Sequence, residues 1–177
     1  EIIAAAAAEN GAKNIIMHNV SKSHESEILR DIFKYRGLII GSPTYNNKPY
    51  PGVESLLSAL QNRNVKNRFF GYFSGHTWAD GAKRDLKAFA DGMEFEMVCE
   101  AVEMKQSLNL TVTENAYALG KAMAEKLNSG DAVVPQPVEH RAVALVNQSS
   151  RNAREQVVAF LRELGHRWTT ARQAVVG

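Results

Sequence analysis

Two short runs in the 177-residue chain carry residues suited to gripping a ligand. They are Ser42-Pro43-Thr44-Tyr45-Asn46-Asn47-Lys48-Pro49-Tyr50-Pro51 and Ser74-Gly75-His76-Thr77-Trp78-Ala79-Asp80-Gly81. Each follows an apolar run of strand length, Leu38-Ile39-Ile40 in one case and Phe69-Phe70-Gly71-Tyr72-Phe73 in the other. The carboxyl ends of strands are where open α/β sheets bind ligands. The first run offers main-chain N–H groups, the Thr44 hydroxyl, the Tyr45 ring and two amides. It has no carboxylate, thiol or imidazole, so it is suited to holding a ligand and not to acid–base chemistry. Plainer roles stand beside these. Asn46 and Asn47 are common turn formers. Trp78 could cap the core, Tyr45 could be an ordinary exposed aromatic, His76 could face solvent, and Asp80 could cap a helix.

The elements that must position these runs alternate. The Ala-rich stretch 1–10 has strong helix propensity and a stop at Gly11. Residues 14–20 read as a short buried strand. Ser21 and Ser23 are candidate caps for a helix over 25–35, with Ile28, Leu29, Ile32 and Phe33 on one face. The strand 38–40 follows. Pro43 biases Ser42 towards an extended conformation and ends that strand. Pro51 suits the first position of a helix over 52–60. Further strands are expected at 67–73 and 94–103, with helices at 82–90 and 113–127, the last opened by a capping box of Thr111 and Glu114. Cys99 then lies in a buried strand and is inert. Such alternation predicts an α/β fold, a parallel sheet covered on both faces.

Together the two runs resemble the flavodoxin-like domain of flavodiiron proteins (A-type flavoproteins). The first matches Ser-Pro-Thr-x-Asn-Asn at Ser42-Pro43-Thr44-Tyr45-Asn46-Asn47. The second is a looser match to a Gly/Ser-rich turn reaching a Trp, Ser74-Gly75-His76-Thr77-Trp78. The likeness in layout runs over 1–128. It implies a flavodoxin-like open sheet of strand order 2-1-3-4-5. It also implies FMN held by Ser42, Pro43, Thr44, Tyr45, Asn46 and Asn47 from one loop and Ser74, Gly75, His76, Thr77 and Trp78 from the other. The implied role is electron transfer to a redox partner protein, or to a di-iron domain supplied elsewhere. By the family's layout this chain starts one element late, with the first strand and its phosphate-binding loop missing from the N-terminus. The ring-binding half of the site is then kept and the anion-binding half is not. The family's di-iron centre does not carry over, because no His-x-Glu-x-Asp-His run occurs and the histidines are scattered. Two other readings stay open: a flavin-free remnant or interaction domain, and an NAD(P)H-dependent flavin or quinone reductase.

Composition bounds these readings. A chain 45% hydrophobic and 23% charged can bury a core. A net charge of +2 gives no argument for nucleic acid. No apolar run reaches the ~20 residues of a membrane-spanning helix. Cys99 is the only cysteine, which rules out an intrachain disulfide or rubredoxin module and suits a reducing, cytoplasmic setting. A homo-oligomer is possible.

Beyond 128 the composition changes. Residues 129–140, with Gly130, Pro135 and Pro137, read as a linker. The tail 141–177 has six Arg and no Lys. Within it, 142–146 is strand-like, 147–152 loop-like, and 153–164 an amphipathic helix. Arg151 and Arg154 could face a phosphate, although solvated helix-start residues would look the same. The segment 142–146 is a candidate for the central slot of the sheet. Two things weigh against it: helices 1–10 and 153–164 would compete for one position, and the Arg-rich composition points to an appended segment. The alternatives are an empty slot or a strand from another chain.

Overall fold

A computed structural model describes residues 1–129 and the strand at 142–145. The elements are α1 (Ile2–Glu9), β1 (Ile16–His18), α2 (Glu25–Lys34), β2 (Gly37–Tyr45), β3 (Lys48–Pro49), α3 (Pro51–Asn62), β4 (Phe69–His76), α4 (Gly81–Met93), β5 (Glu96–Met97), β6 (Val102–Lys105), α5 (Leu110–Asn128) and β7 (Ala142–Leu145).

The sheet runs β1-β7-β2-β4-β5, with β6 continuing beside β4 and β3 turned back on β2. All pairings except β2 with β3 are parallel. The described part of the tail therefore fills the central slot. Ile16 pairs with Val143, and Val143 in turn with Leu38, so β7 lies between β1 and β2. In order along the sheet this is the flavodoxin arrangement, with β7 as the central first strand. The physical reason is the ladder: both neighbouring strands would otherwise present unpaired backbone groups to the interior. The proposed loop and helix at 147–164 lie outside the described residues, as does the linker beyond Ser129.

Side chains alternate across β2 and divide the core in two. Leu38 and Ile40 join α2, α3 and α4 on one face, around the fully buried Phe70 and its ring neighbours Tyr72, Phe89 and Phe95. Ile39 points to the other face with Ile2, Val102, Leu119, Met123 and Leu127 of α1, β6 and α5. There α1 and α5 cross closely enough that a Cβ on Gly120 would stand 2.2 Å from the Ile3 carbonyl oxygen. Among the described residues no helix is long and apolar enough to cross a membrane.

Several local expectations change. α2 is capped by His24, whose ring accepts from the Ser26 N–H, and not by Ser21 or Ser23. Phe33 is half exposed because it lies off the α2 stripe made by Ile28, Leu29 and Ile32. Among the described residues β1 is an edge strand, with Met17 exposed. α5 begins earlier than expected, where the Asn109 side chain accepts from the Val112 N–H; the Thr111 capping box is not used. The expected strand over 94–103 is broken in two. Partners of Phe70 and Phe73 on β4 are Met97 and Val102, so this strand carries two more residues than β4 over the same span. The extra length leaves the sheet as 98–101, and half-buried Cys99 sits in that excursion and not in a strand. Burial, with the Glu100 charge next in weight, pushes its thiol pKa up, which disfavours the thiolate form.

Candidate functional site

The two ligand-suited runs end adjacent parallel strands. β2 and β4 pair as far as Pro43 opposite Gly75, so both strands run further than the sequence suggests. Pro43 does not terminate β2. Its missing N–H breaks no described ladder bond, because among the described residues the pairing of β7 with β2 stops at Ile40. Beyond it the chain makes a hairpin, with Thr44 opposite Pro49 and Tyr45 opposite Lys48. Asn46 and Asn47 form its two-residue turn, at φ 47° and 60°, the left-handed region that a type I′ turn requires and asparagine tolerates. Pro51 then opens α3 as expected.

Below the hairpin, side chains lock the two loops together. The buried Ser42 hydroxyl accepts from the Tyr50 N–H at 2.8 Å and donates to the Pro43 carbonyl. Asp80 is the hub. Its Oδ1 accepts from the Thr44 hydroxyl at 3.1 Å and from the Lys83 N–H at 2.9 Å. Its Oδ2 takes the buried Ser74 hydroxyl. The Thr44 oxygen in turn accepts from the Ala82 N–H. Asp80 thus caps α4, as its position before the helix suggests, and also holds Thr44, 36 positions earlier in the chain. Burial pushes its pKa up. The hydrogen bonds from Ser74, the Lys83 N–H and Thr44, with His76 nearby, outweigh burial and hold it below the usual carboxylate value.

Close backbone approach completes the lock. A Cβ on Gly81 would stand 2.0 Å from the Asn47 carbonyl oxygen, so glycine lets the start of α4 lie against the hairpin turn. The Arg84 guanidinium also donates to that oxygen.

The eleven sequence-selected residues therefore separate by position. Ser42 and Ser74 are buried and Thr44 is tied to Asp80, so their side chains build the platform. Pro43, Tyr45, Asn46, Asn47, Thr77 and Trp78 form its exposed surface, with Gly75 partly covered. Trp78 is 94% exposed and Tyr45 56%, so Trp78 does not cap the core. His76 is not solvent-facing: its side chain is 10% exposed, with Nδ1 3.0 Å from Asp80 Oδ2. Sequence reasoning passed over Glu103 on β6, opposite Ser74, and the joining role of Asp80. A lone Asp before a helix signals a cap; only the parallel register of β2 and β4 brings Thr44 and Ser74 to it.

No family model matches the chain. It is similar to the anaerobic nitric oxide reductase flavorubredoxin of Salmonella typhi, 26% identical over 132 residues, which are 75% of this chain and 26% of that protein. It is also 30% identical over 79 residues to the flavorubredoxin of Escherichia coli SMS-3-5, covering 45% of this chain and 16% of that protein. The chain thus spans about a quarter or less of the length of these curated relatives. Among solved structures it resembles rubredoxin:oxygen oxidoreductase from Desulfovibrio gigas, with TM-score 0.69 and 23% identity over 72% of this chain and 32% of that one. It also resembles a flavodoxin-like domain from Synechococcus, with TM-score 0.62 and 16% identity over 73% of this chain and 88% of that one. The fold is flavodoxin-like, and the resemblance to the flavodoxin-like domain of flavodiiron proteins is borne out.

Proposed function

We propose, from this likeness to the flavodoxin-like domain of flavodiiron proteins, that the chain is an FMN-binding electron-transfer module. The observation that carries the reading is the rigid platform at the ends of β2 and β4, with Trp78 and Tyr45 standing exposed on loops that Asp80 ties together. Two unburied aromatic side chains beside main-chain amides fit a flat, amphipathic heteroaromatic ring, whose burial they would gain from on binding. Bound FMN would supply the redox chemistry. Of the candidate residues, Trp78 and Tyr45 would cover the ring, while Asn46, Asn47 and Thr77 would supply polar contacts at its edge. Ser42, Thr44 and Ser74 would keep both loops in place. Aromatic cover and an apolar wall disfavour added negative charge on the ring, and nearby N–H groups favour it, so their balance sets the potential.

The electron acceptor or donor is a partner protein or a di-iron domain, and the setting is cytoplasmic. The partner is what the family resemblance implies, and the single cysteine agrees with a reducing setting. Reconstitution with FMN and with riboflavin tests the reading. Flavin absorbance retained through gel filtration, with quenched flavin fluorescence, supports it; a chain that remains colourless with both ligands overturns it. The ratio of the two affinities reads the phosphate contacts. Similar affinities are expected where only the ring loops bind, whereas much tighter FMN binding means that a further segment grips the phosphate.

A further inference from the structure

We propose that His76, Asp80 and Glu103 form a binding site for one divalent transition-metal ion, on the β6 side of the second loop. One ligand atom from each lies within 4.8 Å of the other two. The three converge because Ser74 and Glu103 are opposed across β4 and β6, while Asp80 reaches back from the start of α4.

The second observation is the state of the imidazole. The His76 side chain is nine-tenths buried, and its Nδ1 has no hydrogen-bond partner among the described residues, although it sits 3.0 Å from Asp80 Oδ2. The in-plane direction of that nitrogen, along which an N–H or a lone pair would lie, passes beside the carboxylate oxygen and leaves the nitrogen without a hydrogen bond despite the short distance. A cation placed along it could bind both atoms. With ligands at about 2.1 Å, neighbouring positions of an octahedral ion are about 3.0 Å apart, so the pair is already at the required separation.

Asp80 has capacity for this. Its Oδ1 accepts from Thr44 and the Lys83 N–H, whereas among the described residues its Oδ2 accepts only from Ser74, and a carboxylate oxygen has a second lone pair to offer. Glu103 currently pairs with the Lys83 ammonium, with both groups well exposed. Such surface pairs contribute little and rearrange readily, so the ammonium is a weak competitor for a doubly charged ion. One imidazole and two carboxylates suit Zn²⁺, Co²⁺ or Ni²⁺ better than Ca²⁺ or Mg²⁺, which favour all-oxygen sets. Water would complete the coordination.

The site shares His76 with a loop assigned to flavin, yet it needs no flavin, so it is tested on the flavin-stripped full chain. After chelator treatment and dialysis, Zn²⁺ is titrated calorimetrically and Co²⁺ by its visible absorption. One ion per chain is expected. His76→Ala and Glu103→Gln should each weaken binding at least about tenfold, since even groups behind a ligand are worth 10–100-fold. Lys83→Met, which removes the competing ammonium, should tighten it. Absence of stoichiometric binding, or unchanged affinity in Glu103→Gln, overturns the proposal. Glu103 is exposed and its replacement nearly isosteric, so this variant decides the matter even where His76→Ala fails to fold. A chain that takes the ion but no flavin supports this site and defeats only the flavin reading.

Discussion

Trp78 and Asp80 are two positions apart and do opposite jobs. Trp78 is 94% exposed and contributes almost nothing to the core. Trp78→Ala should therefore leave the melting temperature of the flavin-free chain unchanged. It should weaken flavin binding by roughly 1–3 kcal/mol, the worth of an aromatic stack plus the lost buried area. A fluorescence titration beside a thermal melt separates the two effects. Asp80→Ala should do the reverse first. It strips the acceptor from Ser74, which is 1% exposed, at about 1–3 kcal/mol for a buried group left unpaired, and less for the partly buried Thr44. The lowered Asp80 pKa also has a pH sign. Because the folded value lies below the unfolded one, its contribution is present above the unfolded value of ~3.9 and is lost as pH falls through the folded value. Acid unfolding of the parent should show this loss, whereas Asp80→Asn, which does not titrate, should flatten the stability profile in that window.

At the level of elements, the tightest constraint is the crossing of α1 and α5. Gly120 would place a Cβ 2.8 Å from that of Ala6 and 3.0 Å from the Ala7 N, besides the Ile3 carbonyl. Ala7 and Ala124 are buried nearby, so small residues on both helices let the backbones approach. Gly120→Val should force the helices apart and destabilise by about 1–3 kcal/mol or more, the usual range for overpacking, measured by chemical denaturation. The hairpin is a second constrained element. Its Asn46–Asn47 turn and the Gly81 contact with Asn47 hold the first loop, which carries Tyr45, against the start of α4.

For the whole molecule, the decisive feature is β7. It pairs on both sides, with Ile16, Met17 and His18 of β1 and with residues 37–40 of β2. A proline within it removes an amide from the middle of the sheet whichever neighbour that amide serves. Ala144→Pro should therefore destabilise the entire chain by about 1–3 kcal/mol or more through the unmade interior hydrogen bond. Hydrogen exchange should show β1 and β2 losing protection together. Retained protection in both strands would mean that β7 is dispensable to the sheet.

How much of this was legible in the sequence depends on the range of the interactions involved. Apolar runs ending in Ser42-Pro43-Thr44 and Ser74-Gly75-His76 identify strands with ligand-suited ends, because strand and loop chemistry are local. Alternating elements likewise predict a parallel sheet, and Pro51 marks its helix start. The fate of 142–145 was not legible, since its composition argued for an appended segment while backbone pairing with strands over a hundred residues away favours the central slot. Nor was the break between β5 and β6, which comes from a mismatch in length against β4 that neither segment reveals alone. The sequence by itself determined which residues could contact a ligand and which strands carry them. Only the tertiary structure decided that Asp80 binds Thr44 to Ser74, and that His76 turns inward to Asp80 and Glu103. The register of parallel strands, together with the turn back into α4, sets those distances, and no local pattern encodes them.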